Sequence, residues 1–280
     1  MSTATTLIIG AALACSCLDV LYRYAMQHDY DPYAIVWYNL TAGGLLLLLF
    51  RGLPQAGLGG GAALPILLAS SAFWALQAWL DIKAFQGLPA SVNATLNAAG
   101  LIALNLAGVI VFAEGIGAAQ AAGLVLIVCS MFVEVDLRAG HERRGTAYRA
   151  GAVICGTLAL VLDKRLTMMI STDWVLLCGY LGPALIMLVM RPAVVRQAAG
   201  ELKRHWLVLG ASAVLYALVG FGIIVSISLA SLGATMSIYQ LRIVFTFLLA
   251  AVLLRERERF TARAAGAALA IAGIMLVAAG

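Results

Sequence analysis

Charge is what this sequence has least of. Only 11% of its 280 residues are Asp, Glu, Lys or Arg, against about a quarter in an ordinary soluble domain, while 63% are hydrophobic and the mean hydropathy is +1.00. A water-soluble core could not hide that much apolar surface, which excludes a soluble globular domain. Histidine is almost absent: His28, His141 and His205 all fall between or at the edges of apolar runs. No His-Glu-x-x-His, Gly-x-Ser-x-Gly or phosphate-loop spacing is present, so the expectation is no catalytic residue, no metal, no cofactor and no enzymatic activity. The five cysteines lie inside apolar runs without metal-binding or redox spacing, and read as small packing residues. No basic leader precedes the first apolar run, which therefore reads as a retained membrane helix rather than a cleaved signal. The net charge of +5 is dispersed in short clusters, so no nucleic-acid partner is expected.

What is present is a succession of apolar runs about 20 residues long, the length that crosses a bilayer. Ten are recognisable, at 3–26, 33–50, 62–85, 90–112, 118–135, 148–170, 174–190, 206–229, 233–254 and 262–279, separated by turn-forming stretches such as Gly52-Leu53-Pro54 and Gly87-Leu88-Pro89. The fold class expected is an all-α polytopic membrane protein embedded in a lipid bilayer, the inner (plasma) membrane of the cell. The most polar stretch, 136–146, lies almost at the centre.

That position prompts a search for an internal repeat. Arg23 and Arg165, Tyr38 and Tyr180, Trp74 and Tyr216, and Glu114 and Glu256 are all 142 residues apart. Each Glu closes an apolar run and is followed by a small-residue run containing Ala-Ala-Gly. The organisation expected is a five-helix half at 1–136, a hydrophilic connection at 137–147 and a second five-helix half at 148–280. Five is an odd number, so the second half must enter the membrane in the opposite sense, giving two inverted repeats. Basic residues crowd the odd-numbered connections, including Arg138, Arg143, Arg144 and Arg149 at the centre and Arg255, Arg257, Arg259 and Arg263 before the last run. The positive-inside rule then puts those connections in the cytoplasm and both termini outside.

Polar residues inside the runs are the candidates for function, because a charge at the centre of a membrane helix costs about 2.5–3.5 kcal/mol on insertion scales. In the ninth run Thr235, Tyr239 and Arg242 share one helix face, with Gln240 beside them, and Asn93 and Asn97 occupy the equivalent face of the fourth. The first run carries Asp19 and Arg23, the third Trp74, Gln77 and Asp81, and the sixth Asp163, Lys164 and Arg165, three charges that must point in different directions. Arg242, Tyr239, Gln240, Asn93, Asn97, Trp74, Gln77 and Tyr216 are the expected substrate-binding set. Asp19, Asp81 and Asp163 are the expected ion-pair or proton-coupling carboxylates, each a possible partner for Arg242. Two accounts stand side by side: the arginine is neutralised by an internal carboxylate, or a substrate anion completes its pairing. Trp37, Tyr38 and Tyr180 are further aromatic candidates for a cavity wall. The fifth and tenth runs carry Ala119-x-x-x-Gly123, Ala262-x-x-x-Gly266 and Gly266-x-x-x-Ala270, packing faces for scaffold or homodimer contact.

The Glu-terminated run followed by a small-residue helix, at 234–273 and again at 90–129, resembles the EamA repeat of the drug/metabolite transporter superfamily. The resemblance implies ten helices in two repeats, a central cavity lined by segments 1, 3, 4, 6, 8 and 9, and secondary transport of a small-molecule substrate. On that basis the expected function is export of a small zwitterionic or anionic metabolite such as an amino acid. Drug or cation efflux, a lipid-linked sugar flippase and an intramembrane lipid-modifying enzyme are the alternatives. Family members often carry proline in the fourth and ninth helices, where this chain has none, and are commonly drawn with both termini in the cytoplasm, the reverse of the loop-charge reading.

Overall fold

The computed structural model describes residues 3–54, 61–112, 117–134, 140–230, 232–254 and 260–279. Glu114, Glu256, Arg138, Arg255, Arg257 and Arg259 lie outside the described residues. Within them every regular element is a helix: α1 (Thr3–Gln27), α2 (Pro32–Arg51), α3 (Ala63–Gly87), α4 (Ala90–Asn97), α5 (Ala99–Phe112), α6 (Ala118–Glu134), α7 (Gly140–Thr167), α8 (Thr172–Met190), α9 (Val194–Leu229), α10 (Leu232–Tyr239), α11 (Arg242–Leu249) and α12 (Phe260–Ala279), with a π-helical turn, Ala250–Leu254, following α11. Among the described residues nine spans are long and apolar enough to cross a membrane, and Ala118–Ser130 is a shorter apolar helix. The protein is a multi-pass helical membrane protein.

Three expectations about the segments are corrected. Residues 140–147, expected in the central connection, are the first two turns of α7. The eighth span extends back to Val194 through a sharp bend at His205 (φ −136°, ψ 37°), whose ring stacks on Tyr30 at 4.2 Å. The fourth and ninth runs are each broken near the middle. At the first break the Ala98 amide donates to the Thr95 carbonyl and the Leu101 amide to Ala98. At the second, the Leu241 amide donates to Ile238 and the Ile243 amide to Gln240. These three-residue bonds tighten the helix into one 3₁₀-like turn without proline.

The distribution of polarity is the reverse of a soluble protein's. Phe50, Ile110 and Val189 are about four-fifths exposed, whereas Asp19, Asn39, Asp163, Gln240 and Arg242 are buried. The hydrophobic side chains face lipid and the charges face one another. α3 packs along α7 and α8, α9 along α1 and α2, α2 along α8, and α6 along α12. Asp31 caps α2 by accepting from the Tyr33 amide at 2.8 Å, with Pro32 in the first turn. α2 and α8 run antiparallel, each end tied by an ion pair: Arg51 with Asp173 at 2.7 Å at one end, Arg191 with Asp31 at 3.9 Å at the other. All four side chains are partly exposed, so each pair contributes at most about 1 kcal/mol.

A close backbone-to-backbone contact joins α6 to α12. A methyl group on Gly123 would run into the Gly273 carbonyl, and one on Gly273 into that of Gly123. Of the small-residue motifs, Gly123, Gly266 and Ala270 are buried, while Ala119 is exposed. Neither helix contributes to the cavity described below. Gly123→Val should destabilise the protein by about 1–3 kcal/mol, the cost of overpacking, seen as a lowered unfolding temperature in detergent. Gly10→Ala, where nothing lies within 4 Å of the added carbon, should leave it unchanged.

Candidate functional site

α1, α3, α7, α9 and both broken spans (α4 with α5, α10 with α11) line a central cavity of about 170 Å³, with a single residue from α2. α8 adds Val175, Leu176, Gly179 and Tyr180, so segments two and seven join the six that the resemblance implied. The breaks decide which polar side chains reach it. Asn97 ends α4 at the first, and Tyr239, Gln240 and Arg242 surround the second. Interrupted membrane helices commonly expose polar groups to a binding site in this way.

Arg242 is buried. Its Nη1 donates to Cys15 Sγ at 3.0 Å and stands 3.9 Å from Asp19 Oδ2, and its guanidinium lies 5.2 Å from the centre of the Tyr239 ring. The Asp19 separation suits an ion pair but exceeds hydrogen-bond length. Nε and Nη2 of Arg242 have no hydrogen-bond partner among the described residues, and neither does Gln240 Oε1. The backbone here is anchored, because Ser16 Oγ donates to the Arg242 carbonyl at 3.0 Å, and Thr246 Oγ1 donates to Asp19 at 3.3 Å.

A second buried pair joins Arg149 of α7 to Asp81 of α3, and Gln77 Nε2 donates to the same carboxylate at 3.5 Å. Arg149 belonged, by its sequence position, to the central loop cluster. The extension of α7 back to Gly140 carries it into the bundle instead, where only 2% of it is exposed. Among the described residues the third carboxylate has no cation within ion-pair distance. Asp163 accepts from Ser70 Oγ at 2.5 Å and from Trp74 Nε1 at 2.7 Å, both on α3. The Asp-Lys-Arg run divides as its spacing requires. Asp163 faces inward, Lys164 Nζ donates to the Ile227 carbonyl at 2.6 Å, and Arg165 is exposed.

Of the expected substrate-binding and carboxylate residues, Arg242, Tyr239, Gln240, Asn97, Trp74, Gln77, Tyr216, Asp19, Asp81 and Asp163 all line the cavity. Asn93 does not. It is fully buried one turn from Asn97, outside the cavity wall, and both of its amide atoms lack partners among the described residues. Trp37 and Tyr38 are also off the wall. Trp37 donates to the Ala184 carbonyl at 3.1 Å, while Tyr22 takes the expected aromatic place. Tyr22 is held by a chain in which Ser212 donates to Asn39 Oδ1 at 2.8 Å and Asn39 Nδ2 donates to the Tyr22 oxygen at 2.9 Å. Tyr180 meets Tyr216 edge-on, ring centres 5.5 Å apart, and donates its hydroxyl to the Tyr216 carbonyl at 2.7 Å. Its ring fits a slot that a side chain at Gly43 or Gly220 would obstruct. Among the described residues no three His, Cys, Asp or Glu side chains converge as a metal site.

This arrangement defines a class: a multi-pass helical membrane protein built around an internal cavity of buried charge. No family model matches the chain, and no curated protein is similar to it in sequence. It is similar to solved structures, among them one described only as "Crystal structure of protein". That one matches over 99% of this chain and 96% of the other, with a TM-score of 0.69 and 16% identity. At that identity the likeness is one of fold.

Removing one member of a buried ion pair leaves the other charge uncompensated, at a typical cost of about 3–5 kcal/mol. Arg149→Met should therefore lower unfolding stability towards the smaller of those figures, because Asp81 keeps 21% of its side chain exposed. Arg149→Met combined with Asp81→Leu should recover most of the loss in a denaturation series.

Proposed function

We propose that the chain is a secondary transporter of the EamA type, within the drug/metabolite transporter superfamily, and that it exports a small zwitterionic or anionic metabolite such as an amino acid. The observation that carries the reading is Arg242: a guanidinium buried at a helix break, on a residue that lines the cavity, with Nε and Nη2 unpartnered among the described residues. A planar anion is the ligand such a fork suits. Tyr239, Asn97, Trp74 and Tyr216 shape the rest of the cavity, and Asp19 or Asp163 is the proton-sensitive carboxylate. The membrane is the inner (plasma) membrane, and α6 with α12 forms the scaffold or a homodimer contact.

The transport mechanism is alternating access between two inverted five-helix halves, and the helix positions favour that organisation. α10 follows α4 by 142 residues at both ends, Leu232 after Ala90 and Tyr239 after Asn97. The same offset carries the first residue of α6 to that of α12, and it relates the two helix breaks. Packing agrees: exchanging the halves turns α3 against α7 into α9 against α1, and α3 against α8 into α9 against α2. Arg23 donates to the Phe85 carbonyl at 2.7 Å, and Lys164 to Ile227, the carbonyl 142 residues later. The ion pairs at the two ends of α2 and α8 are reciprocal in the same sense. Counting Ala118–Ser130 as a span brings the total to ten, with the substrate site between the halves.

The test is a thermal-shift screen of the purified protein against amino acids, nucleosides, polyamines and cationic drugs, since ligands of the folded state raise its apparent stability. Flux of the ligand found is then measured in liposomes. Arg242→Ala should abolish transport while the protein remains folded and inserted, and Arg242→Lys, which keeps the charge but loses the fork, should fold with reduced transport. Normal flux through Arg242→Ala would overturn the substrate role. Misfolding of both variants would leave Arg242 as a purely internal ion-pair residue.

A further inference from the structure

We infer that Asp163, with Trp74, Tyr180 and Tyr216, forms an ammonium-binding subsite, so that the ligand of this cavity carries a protonated primary amine. The inference rests on the cavity being the transport site and names the second recognition group of its substrate.

The cavity holds three carboxylates and two guanidinium groups, and their pairing is uneven. Asp19 has Arg242 at 3.9 Å and Asp81 has Arg149. Asp163 has no Lys, Arg or His within ion-pair distance among the described residues. Its nearest cations in sequence are turned away, Lys164 onto the carbonyls of Ile227 and Ala230 and Arg165 outward. Only the neutral donors Ser70 and Trp74 satisfy it. A carboxylate accepts about four hydrogen bonds, so roughly half of its capacity is unused. Buried ionisable groups inside membrane proteins are costly and mark ligand or ion sites.

The surroundings determine which cation fits. The bond from Trp74 Nε1 holds the indole beside the carboxylate, and both residues line the cavity. Tyr180 and Tyr216 add two rings to the wall, and Tyr180 is immobilised by its bonds to the Tyr216 and Ala217 carbonyls. A carboxylate beside an indole, on a cavity wall that carries two further aromatic rings, is an environment that suits an ammonium group. Arg242, on the interrupted ninth span, also lines the cavity, and its guanidinium is the cation available there for the ligand's acceptor end. A metabolite with an amine at one end and a carboxylate at the other satisfies both.

The experiment measures thermal shift and Kd for the intact protein in detergent. The probes are each of the twenty protein amino acids, beside the amine and the deaminated acid bearing the same side chain. At least one amino acid and its matched amine should bind the wild type. Asp163→Asn should raise Kd for the amine about tenfold or more, the factor expected for losing one charge-assisted contact, while leaving the acid's Kd unchanged. Arg242→Gln should do the converse. Trp74→Phe keeps a ring but removes the donor that orients Asp163, so it should weaken amine binding severalfold; this decides the matter if Asp163→Asn does not fold. The subsite is overturned if no amine or amino acid binds the wild type, or if amine binding survives Asp163→Asn or, failing that, Trp74→Phe. Amine binding that depends on Asp163, together with normal flux through Arg242→Ala, would sink the anion role of Arg242 and leave this inference standing.

Discussion

The structure turns on the cost of keeping ionised groups out of water. A buried charge in a low-dielectric bundle is tolerated when a counter-charge or several hydrogen bonds surround it, and here five such groups share one cavity. Arg149 and Asp81 pair directly, although Arg149 Nε has no partner among the described residues. Arg242 and Asp19 do so at ion-pair distance, with Cys15 and Thr246 making up part of the difference. Asp163 rests on a hydroxyl and an indole. Satisfaction is therefore uneven among these groups.

The helix breaks serve the same constraint. A continuous helix through residue 240 would keep its backbone bonds but give its side chains a single regular register. The tight turn at Gln240 and Leu241 lets Tyr239, Gln240 and Arg242 all reach the cavity from adjacent positions. The cost in backbone hydrogen bonding is small, because the three-residue bonds replace most of those lost. The turn at Ala98 does the corresponding work for Asn97 and Gly100. Around this polar centre the packing is close: α6 and α12 touch backbone to backbone at Gly123 and Gly273, and Tyr180 sits in a glycine-lined slot.

Much of this was legible in the chain, and the exceptions have identifiable causes. Apolar run length located most of the spans within a few residues, because the bilayer sets that length, but it missed the polar starts of α7 and α9 by eight and twelve residues. Polar residues inside those runs located most of the cavity, because lipid offers them no partner. Asn93 broke that inference: its amide is enclosed by protein without reaching the cavity, and burial from lipid does not distinguish the two. Arg149 broke it in the other direction. Its neighbours Arg143 and Arg144 gave it the signature of a loop, while the helix carrying it continued into the membrane. The pairing of Arg149 with Asp81 links residues 68 apart in sequence, a distance no local pattern spans.

By itself, then, the sequence determined that the chain is helical and membrane-embedded, roughly where its spans lie, and which side chains would need to be hidden from lipid. Those are properties of composition and local period, and hydrophobic transfer enforces them residue by residue. Only the tertiary structure decided which carboxylate meets which arginine, where the fourth and ninth spans break, and that Asp163 is left with neutral partners. These depend on how separate helices are placed against one another, and electrostatic pairing is settled by distance in space.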